Sequence, residues 1–313
     1  MNKILAITVQ DEYVYAAVLK KNQVIRTVSG PLTTSRDSRE AIASSVRQFL
    51  EEEKVNVPDA AMYIEDAKCF FKEIEVDKLT RQQFELNLPY EFSEYSLSGS
   101  ERKYTFDYEV LPDVEGKPKR VLAVAALRED VKGLVDFAED MGLRLVKVVP
   151  ESCALRNLFE IYGKTEEQLV VTCEELVTTI RIYRNGEQVA SNVLDNGIGE
   201  VIEELRVKDL SIRDLSTKEH DETYNKPSVV VEMDVLAEKI TSSIDHYFTQ
   251  GLLQGEATPI LINGVAAFCK PFVDILKDVS RRDCYTMRNL INGHIRTDEA
   301  SILAPAIGAA LDV

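Results

Sequence analysis

Apolar runs rich in β-branched and aromatic residues open the chain. Ile4 to Val9 is the first, and polar stretches at Gln10-Asp11-Glu12 and Lys20-Lys21-Asn22-Gln23 separate it from the runs that follow. Short apolar runs bounded by turn residues predict strands. At an offset of 164 the pattern returns without a gap: Ile7-Thr8-Val9-Gln10-Asp11-Glu12 falls on Val171-Thr172-Cys173-Glu174-Glu175-Leu176, and Lys20-Lys21-Asn22-Gln23 falls on Arg184-Asn185-Gly186-Glu187. Asn-Gly between such runs is a strong hairpin signal. Each half is therefore expected to begin strand, turn, strand, turn, strand, and two similar halves often enclose a cleft.

Beyond the first meander the period changes. Ile42, Val46, Phe49 and Leu50 follow helical spacing behind a cap at Asp37 or Ser38. Residues 60 to 64 and 70 to 76 read as strands, followed by a segment of different character from Leu79 to Phe92 and a Ser/Gly/Lys tip at Ser96 to Lys103. Strands are expected at Tyr104 to Leu111, Val121 to Leu127 and Leu145 to Val149, with a helix on Val131, Leu134, Val135, Ala138 and Met141 that ends at Gly142. Residues 78 to 149 thus read as a small α+β insert in a first lobe made of 1 to 77 and 150 to 164. Residues 165 to 313 form the second lobe, with 200 to 255 as its smaller subdomain. In that half Gly197-Ile198-Gly199 precedes a helix from Glu200, and residues 208 to 227 are polar with little pattern. A strong amphipathic helix carries Leu236, Ile240, Ile244, Tyr247 and Phe248; the strand Pro259 to Ile262, the turn Asn263-Gly264, and helices near 268 to 279 and 302 to 311 complete the chain.

Composition narrows the function classes. The 37 basic and 53 acidic residues give a net charge of −16, a field that repels phosphate backbones and makes nucleic acid an unsuitable main partner. No stretch of about 18 apolar residues predicts a membrane span, and no signal peptide is expected. Five scattered cysteines without a C-x-x-C pair read as reduced thiols. The three histidines, His220, His246 and His294, make no metal-binding spacing, and Gly197-Ile198-Gly199 lacks the third glycine of a dinucleotide loop. Ser152-Cys153 has neither an adjacent base nor an elbow motif, so it reads as packing. Arg281, Arg282, Arg288 and Arg296 are the basic cluster of the later chain, read as an exposed face or a contact for an acidic partner.

Several segments resemble the type IV pilus assembly PilM family of the actin-like ATPase superfamily, with FtsA as a more distant relative. Leu88-Pro89-Tyr90-Glu91-Phe92-Ser93-Glu94-Tyr95 resembles the leucine-proline-aromatic-acidic signature of that family, and Asp107-Tyr108-Glu109-Val110-Leu111 resembles the strand after it. Val121 to Ala126, Gly142-Leu143, Val149-Pro150-Glu151-Ser152-Cys153-Ala154-Leu155 and the helix around Glu238 to Phe248 are similar in position and style. The resemblance implies an α/β, bilobal actin-like fold (a duplicated ribonuclease H-like unit) with a small α+β insert and a nucleotide cleft. It also implies a cytoplasmic protein at the inner face of the cell membrane, held there by the cytoplasmic tail of a membrane-anchored PilN-like protein. In the family that tail lies where the first lobe meets the insert, which makes residues around Phe84, Leu88, Tyr90 and Phe92 the candidates for contact. FtsA-like proteins carry a C-terminal amphipathic membrane anchor, and Ala309-Ala310-Leu311-Asp312-Val313 does not resemble one. A homo-oligomer stays open, since no interface is readable.

A MgATP cleft of this family uses aspartate-x-glycine loops, the glycines admitting backbone amides to the phosphates and the aspartates organising the metal. The matching residues here are Thr8, Gln10, Asp11, Glu12 and Tyr15 in the first loop, and Thr172, Glu174 and Glu175 in the second. Neither threonine supplies a carboxylate, and Gln10 and Glu174 put side chains where glycine was wanted. Asn263-Gly264-Val265 keeps part of the adenosine loop, and Gly197 lies on the cleft wall. The expectation is a scaffold without ATP or Mg as cofactor and without catalytic residues. The alternatives are an ATPase with a rearranged site using Asp11, Glu12 or Glu175 for the metal, and an FtsA-like division or filament protein.

Overall fold

The computed structural model describes residues 3–10, 13–33, 38–76, 81–93, 103–111, 118–163, 166–208, 210, 224–291 and 299–312. The duplication is present at the level of single hydrogen bonds. In the first half β1 (Ile4–Gln10), β2 (Tyr13–Lys20) and β3 (Gln23–Pro31) form an antiparallel meander. In the second half β9 (Glu167–Cys173), β10 (Thr178–Arg184) and β11 (Glu187–Leu194) repeat it. Lys21 and Asn22 take left-handed φ values of 51° and 58°, and Asn185 and Gly186, at the same offset, take 52° and 78°. A two-residue hairpin with both central residues at positive φ matches the twist of its strands. Even the bulge recurs, between Val18 and Leu19 in one meander and Ile182 and Tyr183 in the other.

Each meander is extended by two parallel strands, giving sheets ordered β3-β2-β1-β4-β8 and β11-β10-β9-β12-β13. The added strands are β4 (Asp59–Ile64) and β8 (Arg144–Pro150) in the first sheet, β12 (Ile260–Asn263) and β13 (Cys284–Thr286) in the second. Crossover helices join them: α1 (Arg39–Glu52), capped by the Ser38 hydroxyl accepting from the Ala41 amide at 3.1 Å, and α3 (Arg128–Asp140). In the second lobe α5 (Gly199–Val207), α6 (Pro227–Thr249) and α7 (Lys270–Ser280) serve that purpose. The Val46 face of α1 and the Ala138 face of α3 cover one side of the first sheet with Leu5, Ile7, Ala60 and Met62.

The other side is shared between the lobes. Helix α4 (Glu151–Tyr162) follows β8, while α8 (Glu299–Ala310), the last helix of the chain, returns to lie on β1, β2 and β4 of the first sheet and against α4. One hydrophobic cluster therefore runs from Ala6 and Ala17 through Leu155, Leu158, Ile302 and Ile307 to Leu169, Ile180 and Ile260. The two helices touch backbone to backbone: a Cβ on Gly308 would lie 1.9 Å from the Ala154 carbonyl oxygen.

Sheet pairing moves the expected boundaries of the insert. Its three-stranded antiparallel sheet is ordered β5-β7-β6, from β5 (Cys69–Glu75), β7 (Arg120–Leu127) and β6 (Tyr104–Val110), with α2 (Arg81–Glu91) over it. β5 thus belongs to the insert and not to the first lobe. Helix α3 and β8, read from sequence as part of residues 78 to 149, belong to the first lobe instead, because β8 pairs in parallel with β4. The expected subdomain at 200 to 255 has no core of its own among the described residues. Val201, Leu205, Met233, Leu236 and Ile240 of α5 and α6 join the shared cluster. Most of the polar stretch 208 to 227 lies outside the described residues, as do the Ser96 to Lys103 tip up to residue 102, His220, His294 and Arg296. No helix among the described residues is long and apolar enough to cross a membrane.

Candidate functional site: the cleft between the duplicated hairpins

The C-terminal ends of β1 and β9 bring the two expected loops together. The Gln10 side-chain amide donates to the Glu174 carboxylate at 2.6 Å, so one hairpin turn is tied directly to the other. Glu174 also closes its own turn, its amide donating to the Val177 carbonyl at 2.9 Å, while its carbonyl accepts from the Ile198 amide at 3.1 Å. That approach explains Gly197, where a Cβ would lie 2.1 Å from the Glu174 carbonyl oxygen. Gly264 has φ of +80°, and a Cβ there would lie 2.4 Å from a Glu174 carboxylate oxygen. The Glu174 carboxylate therefore rests against the glycine of the Asn263-Gly264 turn, the retained part of the expected adenosine loop.

Thr8, Thr172 and Asn263 are also at this place. The Tyr63 phenol is hydrogen-bonded to Thr8 and held well above its ordinary pKa, chiefly by burial, with the Glu151 and Glu174 carboxylates adding to the shift. Asn263, 1% exposed, donates to the Thr172 hydroxyl at 3.2 Å. Glu175 departs from the group: it faces α5 and forms a two-pronged pair with Arg206 at 2.7 and 2.8 Å. Asp11 and Glu12 lie outside the described residues.

The centre of the cleft is a residue not singled out from the sequence. Arg181, in β10, has a side chain only 3% exposed and reaches across to the first lobe. Its guanidinium donates to Glu151 at 2.8 Å and Asp66 at 3.1 Å, and lies 3.4 Å from the Thr172 hydroxyl. Asp66 is held in turn by the Ser152 amide at 3.0 Å and hydroxyl at 2.9 Å, so it also caps α4. Burial pushes the Glu151 carboxyl up, opposed by the Arg181 guanidinium and reinforced by the Asp66 carboxylate. A signal was present in the sequence: Arg181 stands between Ile180 and Ile182, and at the offset of 164 its counterpart is Ala17, fully buried.

The described residues of this cleft do not fit magnesium and a nucleoside triphosphate. The positions that would orient metal-bound water are Thr8 and Thr172, and the space beside Gly264 holds Glu174. No group of three or more His, Cys, Asp or Glu residues able to hold a metal occurs among the described residues.

Of the four residues expected to contact a partner, Phe84, Leu88 and Phe92 are 4%, 3% and 3% exposed and make the core of the insert with Phe70, Tyr104 and Tyr108. Only Tyr90 is open, at 64%. None of the four lines the 430 Å³ groove where the insert meets the first lobe. Tyr108, Leu122, Lys147, Val149, Asn157 and Leu311 are among the residues that do. A larger groove, of about 990 Å³, lies within the insert along β6, which is an edge strand among the described residues, and Phe84 and Leu88 form part of its wall. The basic cluster is not a uniform outer face, since Arg282 turns inward and donates to the Gly255 and Thr258 carbonyls at 3.1 Å.

The chain superimposes on solved structures over nearly its full length. One, described as the PilM-PilN type IV pilus biogenesis complex, matches with a TM-score of 0.73 and 15% identity over 98% of this chain and 97% of that one. The fold is bilobal and actin-like. A second likeness, to the ethanolamine utilization protein EutJ from Carboxydothermus hydrogenoformans, has a TM-score of 0.54 and 12% identity over 99% of this chain and 90% of that one. No family model matches the sequence, and the search of curated proteins found no match. At these identities the likeness establishes the actin-like fold and leaves the activity to the site.

Proposed function

We propose that this chain is a PilM-like adaptor of a type IV pilus or related secretion assembly, which neither binds nor hydrolyses ATP and holds the cytoplasmic tail of a membrane-anchored, PilN-like protein. The observation that carries the reading is the Gln10–Glu174 bond, which joins the two loops that would have to part around a triphosphate. Placing phosphates beside Glu174 would add a like-charge contact worth about 1 kcal/mol even in bulk water, and more in a partly buried site. The solved likeness is described as a complex with PilN, and the junction groove offers this chain a place for a peptide. The chain is then peripheral to the membrane, at its inner face through the partner.

Calorimetry on the nucleotide-stripped chain tests both halves. MgATP at millimolar concentration is expected to give no saturable heat, whereas the cytoplasmic tail peptide of a PilN-like membrane protein from the same organism is expected to bind. Asp107→Lys and Lys147→Glu, which reverse charges lining the junction groove, should weaken the peptide about tenfold, or 1.4 kcal/mol. Tyr90→Ala should leave it unchanged. Saturable MgATP binding, or a peptide sensitive to Tyr90 alone, overturns the corresponding half.

A further inference from the structure

The poor fit to nucleotide has a structural counterpart. Besides Glu174, which packs against Gly264, another carboxylate fills an anion-seeking place at the start of α5. Glu232 of α6 accepts from the Glu200 amide at 3.0 Å and the Val201 amide at 3.4 Å, at the start of α5 beside Gly197-Ile198-Gly199. The first amides of a helix attract anions because they have no partner within the helix and sit at the positive end of its dipole. Between the lobes the bridging cation is Arg181, which reaches Glu151 and Asp66 from the opposite sheet. The Tyr183 hydroxyl adds a further crossing, donating to the Ser152 carbonyl at 3.1 Å.

We propose that the cleft is internally liganded. Glu174 and Glu232 stand where phosphates would be received, Arg181 stands as the bridging cation, and the lobes hold one closed arrangement with no small molecule. In a nucleotide-operated actin-like fold the bridging charges arrive and leave with the ligand, so closure is a switch. Here they are covalently part of the chain, and closure is a fixed property. A ligand shifts a two-state equilibrium only by its differential affinity for the states. With its places taken, MgATP has none to contribute. The inference deepens the nucleotide half of the proposed function and is independent of the peptide half.

Hydrogen exchange read by mass spectrometry on the full chain, with small-angle scattering alongside, tests it. For the wild type, exchange at residues 65–68 and 172–178 and the radius of gyration should be the same with and without millimolar MgATP. Arg181→Met, which keeps bulk and removes charge, should speed exchange in those two segments at least about tenfold while α2 in the insert stays unchanged. If Arg181→Met fails to fold, Gln10→Ala, at a partly exposed position, should still raise exchange at 172–178 severalfold. Protection or compaction of the wild type by MgATP overturns the inference, as does wild-type exchange in both variants. Loss of peptide binding alone would refute the adaptor reading and leave this one standing.

Discussion

Two glycines in helices should respond to the same substitution with opposite signs. Gly308 lies in α8 where it crosses α4, and a Cβ added there would sit 1.9 Å from the Ala154 carbonyl oxygen and 2.5 Å from its carbon. Carbon–oxygen contacts do not ordinarily close below about 3.3 Å. The obstacle is backbone, so relief requires the two helices to separate by roughly 1 Å or more across the core shared by both lobes. Overpacking of this kind costs about 1–3 kcal/mol, against about 1 kcal/mol gained from the better helix propensity of alanine. Because the obstacle is backbone the upper part of that range applies, about 2–3 kcal/mol, and Gly308→Ala should lose about 1–2 kcal/mol net. Around Gly133, in α3, a Cβ would meet nothing within 4 Å, so Gly133→Ala keeps only the propensity gain of about 0.8–1 kcal/mol. Urea unfolding curves at equal m-value give both numbers. A Gly308→Ala midpoint at or above wild type, or a shift of both variants in one direction, would refute the claim that α4 and α8 meet backbone to backbone.

Removing the Glu175–Arg206 pair should matter little. The side chains are 33% and 44% exposed, so Glu175→Ala is expected to change unfolding free energy by less than about 1 kcal/mol, and a larger loss in urea would show that this turn is anchored through Arg206. The thiols should be sluggish: burial pushes Cys153 up to about 11 and Cys69 up to about 12. A raised pKa lowers the reactive thiolate fraction, to about one part in a thousand for Cys153 at pH 8. Alkylation of these two residues in the native chain should climb about tenfold per pH unit from pH 7 to 10, and levelling off below pH 9 would contradict the burial.

Much of the fold was legible because the duplication is carried by local features. Turn residues at 21–22 and 185–186 demand the same left-handed backbone, and the offset of 164 survives between them without insertion. The insert boundary was harder to read. β5 and β8 are both short apolar strands, and only long-range pairing, β5 with β7 and β8 with β4, separates the insert from the lobe. Strand periodicity says which face is buried, and nothing about which sheet supplies the neighbour. The same limit hid the return of α8 to the first sheet. An apolar, small-residue helix can lie on any close-packed surface, and Gly308 acquires its meaning only once Ala154 is opposite it.

At the site, sequence comparison with a motif shows what is missing, whereas the duplication shows what was added. Thr8 and Thr172 read as threonines where the motif has carboxylates, yet such a difference by itself says nothing of what occupies the space between the two loops. The structure shows the space filled, by Gln10, Glu174 and Arg181. Of these, Arg181 was detectable in principle, because its counterpart in the first half is Ala17 and an arginine in the middle of a buried strand must find anions to justify its desolvation. The anions had to come from the other lobe: Thr172 on the adjacent strand is neutral, and Asp66 and Glu151 lie at the ends of elements that face it. A charged residue in one half of a duplicated fold, set against a small apolar one in the other, is thus a pointer to whatever binds the halves together. In this chain it points to the cleft where the two hairpin turns meet.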